Sequence, residues 1–256
     1  MLIFSNSMCK SASTLIWWYT EKLVYAAHPK NGAKALRELT SSGEIEGSNA
    51  YMDHPVTEEK IDRLIELAKN EGPTVVKVHC YLTPYLKQVL ESGDAVATFC
   101  YRDPRDMILS AMDHRVRAAK EGREVFEKFT TVKESLDEAS YWCRMSCTWY
   151  ESQLAELFQY VDTVSRPIWQ MRRLGKFLNF DVSDELIEQV QADESKHKSV
   201  GWCEFNKGDL SRYHNEMQSH EIELCNQYLG KFIRQLGFEI DEPNAEPSDA
   251  GLRNAA

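Results

Sequence analysis

Leu2-Ile-Phe-Ser-Asn-Ser-Met-Cys-Lys-Ser-Ala-Ser-Thr14 decides how the rest of the chain is read. The apolar start, Leu2 to Ser5, has the look of a short buried strand. It runs into a turn of small residues, Asn6 to Ser13, and then into an apolar-periodic stretch from Thr14 to Ala27, so the order is strand, loop, helix. Working outward, Thr57-Glu-Glu-Lys60 opens a helix with a hydroxyl cap and an acidic first turn; Ile61, Leu64, Ile65 and Ala68 form its apolar face and Gly72-Pro73 stops it. Thr74 to Val78 and Ala95 to Tyr101 are two further buried strands, and Pro104 can occupy the first position of the helix after the second. Ser135-x-x-Glu138 has the form of a capping box ahead of a Trp- and Cys-rich helix running to about Glu151. Leu157-Phe-Gln-Tyr-Val161 is expected as a fourth strand, with helices around residues 165–178, 183–194 and 217–236. Strands alternating with helices predict an α/β fold: a central, mainly parallel sheet covered on both faces, with ligands at the carboxyl ends of its strands.

The 256 residues suit one domain, expected over 1–240, and the polar, proline-bearing stretch 241–256 is expected to be a disordered tail. A formal net charge of −10 argues against a generic nucleic-acid binder, because phosphate backbones are held by surplus Lys and Arg. Seven scattered cysteines, an odd number set in apolar stretches, suggest reduced thiols. No apolar run approaches the roughly 20 residues needed to span a bilayer. The expected location is the cytoplasm, without membrane attachment, and a homodimer is compatible with the composition.

Four stretches carry chemistry. In Cys9-Lys10-Ser11-Ala12-Ser13-Thr14 the amides of a helix start, the hydroxyls of Ser11, Ser13 and Thr14, and the mobile charge of Lys10 can together hold a phosphate. A serine-rich cap with an exposed lysine is the plainer alternative. The stretch is not G-x-x-x-x-G-K-[ST], since its lysine precedes the small residues and both glycines are missing, which disfavours an ATP kinase. In Tyr101-Arg-Asp-Pro-Arg-Asp-Met-Ile-Leu-Ser110, Arg102 leaves a strand end and can clamp a phosphate while Ser110 completes the shell; alternatively Arg102 pairs with Asp103 or Asp106. Lys77-Val-His79 puts a lysine and a histidine on the same side of a strand end. Phe205-Asn-Lys-Gly208 combines a glycine, which lets backbone approach an anion closely, with a neutralising lysine.

Together these stretches resemble the PAPS-dependent sulfotransferase family, PAPS being 3′-phosphoadenosine 5′-phosphosulfate. The family's P-K-S-G-T-T-W loop looks like Cys9 to Leu15. Its Arg followed eight positions later by Ser is matched by Arg102 and Ser110, its K-x-H by Lys77-Val-His79, its R-K-G by Asn206-Lys207-Gly208, and its Y-E-D by Tyr160-Val-Asp162. Cys9, Ala12, Leu15 and Asn206 depart from the family's Pro, Gly, Trp and Arg. The likeness spans roughly residues 3 to 238.

The resemblance implies a P-loop NTPase-like three-layer fold and sulfuryl transfer without a metal. His79 would be the general base. Lys10 and Lys77 would neutralise the sulfuryl and leaving oxygens, and Ser110 would position Lys10. The donor would be held by Lys10, Ser11, Ala12, Ser13 and Thr14 at its 5′-phosphate, by Arg102, Ser110, Asn206, Lys207 and Gly208 at its 3′-phosphate, and by Tyr160 at adenine. The acceptor is expected to be a small molecule with a hydroxyl, amine or guanidinium group, bound by residues 28–56, 114–133 and the helix carrying Tyr141, Trp142 and Trp149. Asp53, Asp113 and Glu134 in those regions would favour a neutral or cationic compound. Two other readings stay open from the residues alone: a kinase-like enzyme using Asp103 for magnesium, and a catalytically silent nucleotide-binding module.

Overall fold

The computed structural model describes residues 1–43, 47–48, 51–52, 56–199 and 208–240. In chain order the elements are β1 (Leu2–Ser7), α1 (Ser13–Ala27), α2 (Ala33–Ser42), β2 (Gly47–Ser48), β3 (Tyr51–Met52), α3 (Glu58–Glu71), β4 (Thr74–Val78), α4 (Pro84–Ser92), β5 (Ala95–Tyr101) and α5 (Pro104–Lys120). They continue with α6 (Val132–Ser152), β6 (Ala155–Gln159), α7 (Tyr160–Ser165), α8 (Pro167–Phe177), α9 (Asp184–Ser199), α10 (Tyr213–Glu216) and α11 (Ser219–Gln235). The sheet order is β2-β3-β4-β1-β5-β6. Strands β3, β4, β1, β5 and β6 run parallel, and only the short β2 pairs antiparallel. This is the α/β, mainly parallel architecture expected from the alternation of elements.

All six residues of β1 are buried, so both faces of the central strand are covered by helices. One core cluster joins the sheet to α1, α3, α4 and α8 through Phe4, Ile16, Leu64, Leu86, Phe99 and Met171. A second joins α5, α6 and α11 through Ile108, Cys143, Leu229 and Ile233. The register sets Ser5 opposite Lys77 and Thr98, and Ser7 opposite Cys100. The carboxyl ends of β4, β1 and β5 are therefore level neighbours, and the loops that follow them emerge side by side.

Two expectations are corrected. Tyr160-Val-Asp162 is not strand: the β5–β6 ladder ends at the pair Tyr101–Gln159, where β5 itself stops. With no partner to pair with, the chain turns at once into α7. Helix α6 starts before Ser135, because Thr131-x-x-Glu134 is a second cap pattern upstream and starting there buries Val132 and Leu136. The Thr131 hydroxyl accepts from the Glu134 amide, and Ser135 lies inside the helix with its hydroxyl donating to the Thr131 carbonyl. Helix α4 was absent from the sequence reading, although Thr83 caps it, Pro84 begins it and Gly93 ends it at φ 80°. Residues 241–256 lie outside the described residues.

Candidate functional site

The loop after β1 is wound through two left-handed residues, Lys10 at φ 56° and Ala12 at φ 68°. A residue with a Cβ adopts this conformation only when its surroundings impose it. Here Ser11 does so: it is fully buried, and its hydroxyl is directed at the carbonyls of Met8, 2.7 Å away, and Cys100, 2.9 Å away. The Ser11 side chain is thus a pin for the loop, its hydroxyl committed to backbone carbonyls. The amides of Leu15 and Ile16 close onto the Ala12 carbonyl. Those of Ser13 and Thr14 belong to the turn that a helix start directs outward, where an anion is favoured.

The Lys77 ammonium reaches across from β4 and donates to Thr14 Oγ1 at 2.8 Å. Since that oxygen accepts from Lys77, the Thr14 hydroxyl proton is directed elsewhere and can serve a ligand. The Lys10 ammonium lies 2.9 Å from Nδ1 of His114, one helical turn beyond Ser110 on α5. Ser110 is itself buried, on the same face of α5.

His79, just past the end of β4, has its Nδ1 2.8 Å from the Ser7 carbonyl and 3.1 Å from the Ser7 hydroxyl. A carbonyl only accepts, so Nδ1 carries a proton in this contact, and the ring's other nitrogen, Nε2, is the one that can serve as a base when the ring is neutral. Asn6 holds the strand ends in this relation. Its Oδ1 accepts from the amides of Ser7 at 2.8 Å and Cys80 at 3.1 Å, and its Nδ2 donates to the Cys80 carbonyl at 2.9 Å. Trp142 meets the His79 ring edge-on at 5.8 Å, with Tyr141 and Tyr81 continuing the aromatic row. Trp149, by contrast, is core: fully buried, stacked on Phe99 and donating to the Cys80 carbonyl. Burial pushes the Cys9 thiol up against the opposing charge of Lys10, and pushes Cys80 up to about 12. Neither is a nucleophile.

At the end of β5, Arg102 is buried with its guanidinium stacked 3.8 Å over the Tyr160 ring. It donates to Asp106 at 3.1 Å and to the Asp209 carbonyl at 3.2 Å, which places Gly208 one residue from the same guanidinium. Among the described residues its Nε is buried without a hydrogen-bond partner. Such an orphaned donor fits an anion at this end of the sheet. Asn206 and Lys207 lie outside the described residues. Asp103 caps α5 and is bound on both oxygens by Arg105, at 2.7 and 3.0 Å, so the carboxylate required by the kinase reading is committed to the frame. Asp113 pairs with Arg212 at 2.7 Å, and Glu134 is engaged by Thr130 and Thr131.

Asn6 and Ser7 are not among the residues the sequence points to, and His114, four residues past Ser110, is legible there only as an alternative base to His79. A polar residue at the end of an otherwise apolar strand is the available signal for Asn6.

The sulfotransferase domain family matches residues 20–237, most of the chain, and the protein belongs to that family. It is therefore a PAPS-dependent sulfotransferase, and the matched span begins just beyond the Lys10 loop. Among solved structures the fold is similar to that of retinol dehydratase in complex with androsterone and the inactive cofactor PAP (3′-phosphoadenosine 5′-phosphate). That match has 15% identity and a TM-score of 0.57, and covers 95% of this chain and 83% of that one. A mouse sulfotransferase complexed with PAP is similar at 15% identity and a TM-score of 0.59, with 91% and 84% of the two chains covered. No curated protein sequence matches this chain. Among the described residues no helix is long and apolar enough to cross a membrane.

Proposed function

We propose that the protein moves the sulfuryl group of PAPS onto a hydroxyl, or an amine or guanidinium nitrogen, of a small-molecule acceptor. The observation that carries this reading is the His79 ring, its Nδ1–H tied to the Ser7 carbonyl, at the end of the strand whose Lys77 donates to Thr14. PAPS, when bound, supplies an activated sulfuryl group and leaves as PAP. His79 takes the acceptor's proton at Nε2. Lys10 and Lys77 bring positive charge to the sulfuryl and leaving oxygens, where negative charge grows. Ser13, Thr14 and the α1 amides take the 5′-phosphate. Arg102, Ser110 and Gly208, with Asn206 and Lys207, take the 3′-phosphate, and Tyr160 braces Arg102 beside the adenine.

The retinol dehydratase structure, holding androsterone together with PAP, supports a small apolar acceptor. So does the aromatic row from Trp142 to Tyr81. Because Asp113 is paired with Arg212, it no longer favours a cationic acceptor; Glu134 keeps its charge between the two threonine hydroxyls, and Asp53 lies outside the described residues.

Thermal shift tests the donor assignment. PAP at about one hundred times its Kd should stabilise the protein by about 2.7 kcal/mol, and AMP at the same concentration far less, because the 3′-phosphate is what Arg102 reads. Equal stabilisation by the two nucleotides overturns the assignment. PAP release from PAPS in the presence of 2-naphthol, compared with agmatine, then separates hydroxyl from guanidinium acceptors.

A further inference from the structure

We propose that His114 is a positioning residue for sulfuryl transfer, its neutral imidazole holding the Lys10 ammonium in place without cancelling its charge. The inference rests on the reading above for the role of Lys10, and on geometry for everything else.

A lysine stem is flexible, and an ammonium brought to a reacting oxygen has to be aimed. Here both ends of the stem are fixed. Lys10 leaves a left-handed backbone at φ 56°, and its ammonium lies 2.9 Å from His114 Nδ1. An ammonium has only donors, so Nδ1 is the acceptor and the His114 proton sits on Nε2. The imidazole is itself immobile: 5% exposed, carried by α5, and packed edge-on at 5.3 Å against Phe126, which meets Phe129 at 5.6 Å. A carboxylate in the same place would hold the lysine but neutralise it. A neutral ring nitrogen directs the ammonium without itself cancelling the charge. Three N–H donors make a bond to His114 compatible with another to a ligand.

The test uses the whole protein and four variants: His114→Leu, His114→Asn, Lys10→Ala and the Lys10→Ala/His114→Leu double. Three quantities are measured: PAP release from PAPS with 2-naphthol or water as acceptor, the Kd of PAP, and acetylation of Lys10 by acetic anhydride followed by peptide mass spectrometry. His114→Leu should lower kcat about 10- to 100-fold, as misplacing a reacting group by about an ångström does. The Kd of PAP should change by no more than about threefold, since the lost interaction acts on the reacting state. His114→Asn, which restores an acceptor near the Nδ1 position, should recover most of the rate. In the Lys10→Ala background His114→Leu should cost nothing further, because the two side chains act as one unit. Lys10 should acetylate faster in His114→Leu than in wild type, since an ammonium without its acceptor gives up its proton more readily. Retained or raised kcat in His114→Leu, full additivity with Lys10→Ala, or unchanged acetylation overturns the proposal. If wild type neither binds PAP nor consumes PAPS, it is the functional reading that fails, and the acetylation difference still decides the Lys10–His114 contact.

Discussion

The two halves of the site are built on opposite principles. At the ends of β1 and β4, Lys10, Lys77 and His79 are half-buried, and each is held by a neutral partner: an imidazole, a hydroxyl and a carbonyl. At the end of β5, Arg102, Asp103, Arg105 and Asp106 are all buried and paired charge against charge. Neutral partners orient a charged or basic group and leave its reactivity for a ligand, whereas opposite charges satisfy one another and make a frame. On the proposed function, the difference separates the residues assigned to chemistry from those that hold the end of β5 in shape. Arg102 belongs partly to each, framed by Asp106 and Tyr160 yet keeping one donor unspent.

The largest expected effect falls on the frame. Arg105 is 1% exposed, donates to both oxygens of Asp103, to Asn226 and to the Glu239 carbonyl, and stacks over Tyr213. Arg105→Met leaves the Asp103 charge buried without its partner, and breaking such a pair costs about 3–5 kcal/mol. Urea denaturation should show that loss. A variant as stable as wild type would mean that the cluster at β5 is not a frame.

The reactive half should behave the other way. His79→Ala should lower kcat by about 10²- to 10⁴-fold while leaving the urea midpoint and the Kd of PAP close to wild type. Wild-type turnover should fall on acidification, since an imidazolium cannot accept a proton, and the variant should lack that fall. If stability drops along with turnover, His79 belongs to the frame and the contrast collapses.

The smallest effect sharpens the contrast at its boundary. Ala12 sits at φ 68° and ψ 26°, a conformation that glycine adopts without steric cost. Ala12→Gly should raise stability by about 1 kcal/mol in urea denaturation, with kcat little changed. A loss of stability would show that the loop is not strained at this residue.

Much of the fold was legible because its signals are local. The strand–loop–helix at the amino end, the caps at Thr57 and Pro104, and the apolar runs of β4 and β5 each lie within a few neighbouring residues, and they appear where the sequence places them. Of the candidate site, the groups proposed to react were legible as residue types at strand ends, but their partners were not. Arg102 shows how the two mix: its pairing with Asp106, an i,i+4 contact, was readable as one alternative, while its stacking on Tyr160 was not. Tyr160 itself was misread, since nothing near it in sequence shows that β5 stops level with Gln159.

The sequence by itself determined which groups are available: two lysines, a histidine and an arginine, placed at or just past the ends of strands that must be buried. Only the tertiary structure decided what each group is tied to. His114 lies 104 residues from Lys10, Ser7 lies 72 from His79, and Asp209 lies 107 from Arg102. The first two pairings follow from the order β4-β1-β5 in the sheet and the third from the docking of the segment before α10, packing outcomes that no single stretch of the chain encodes.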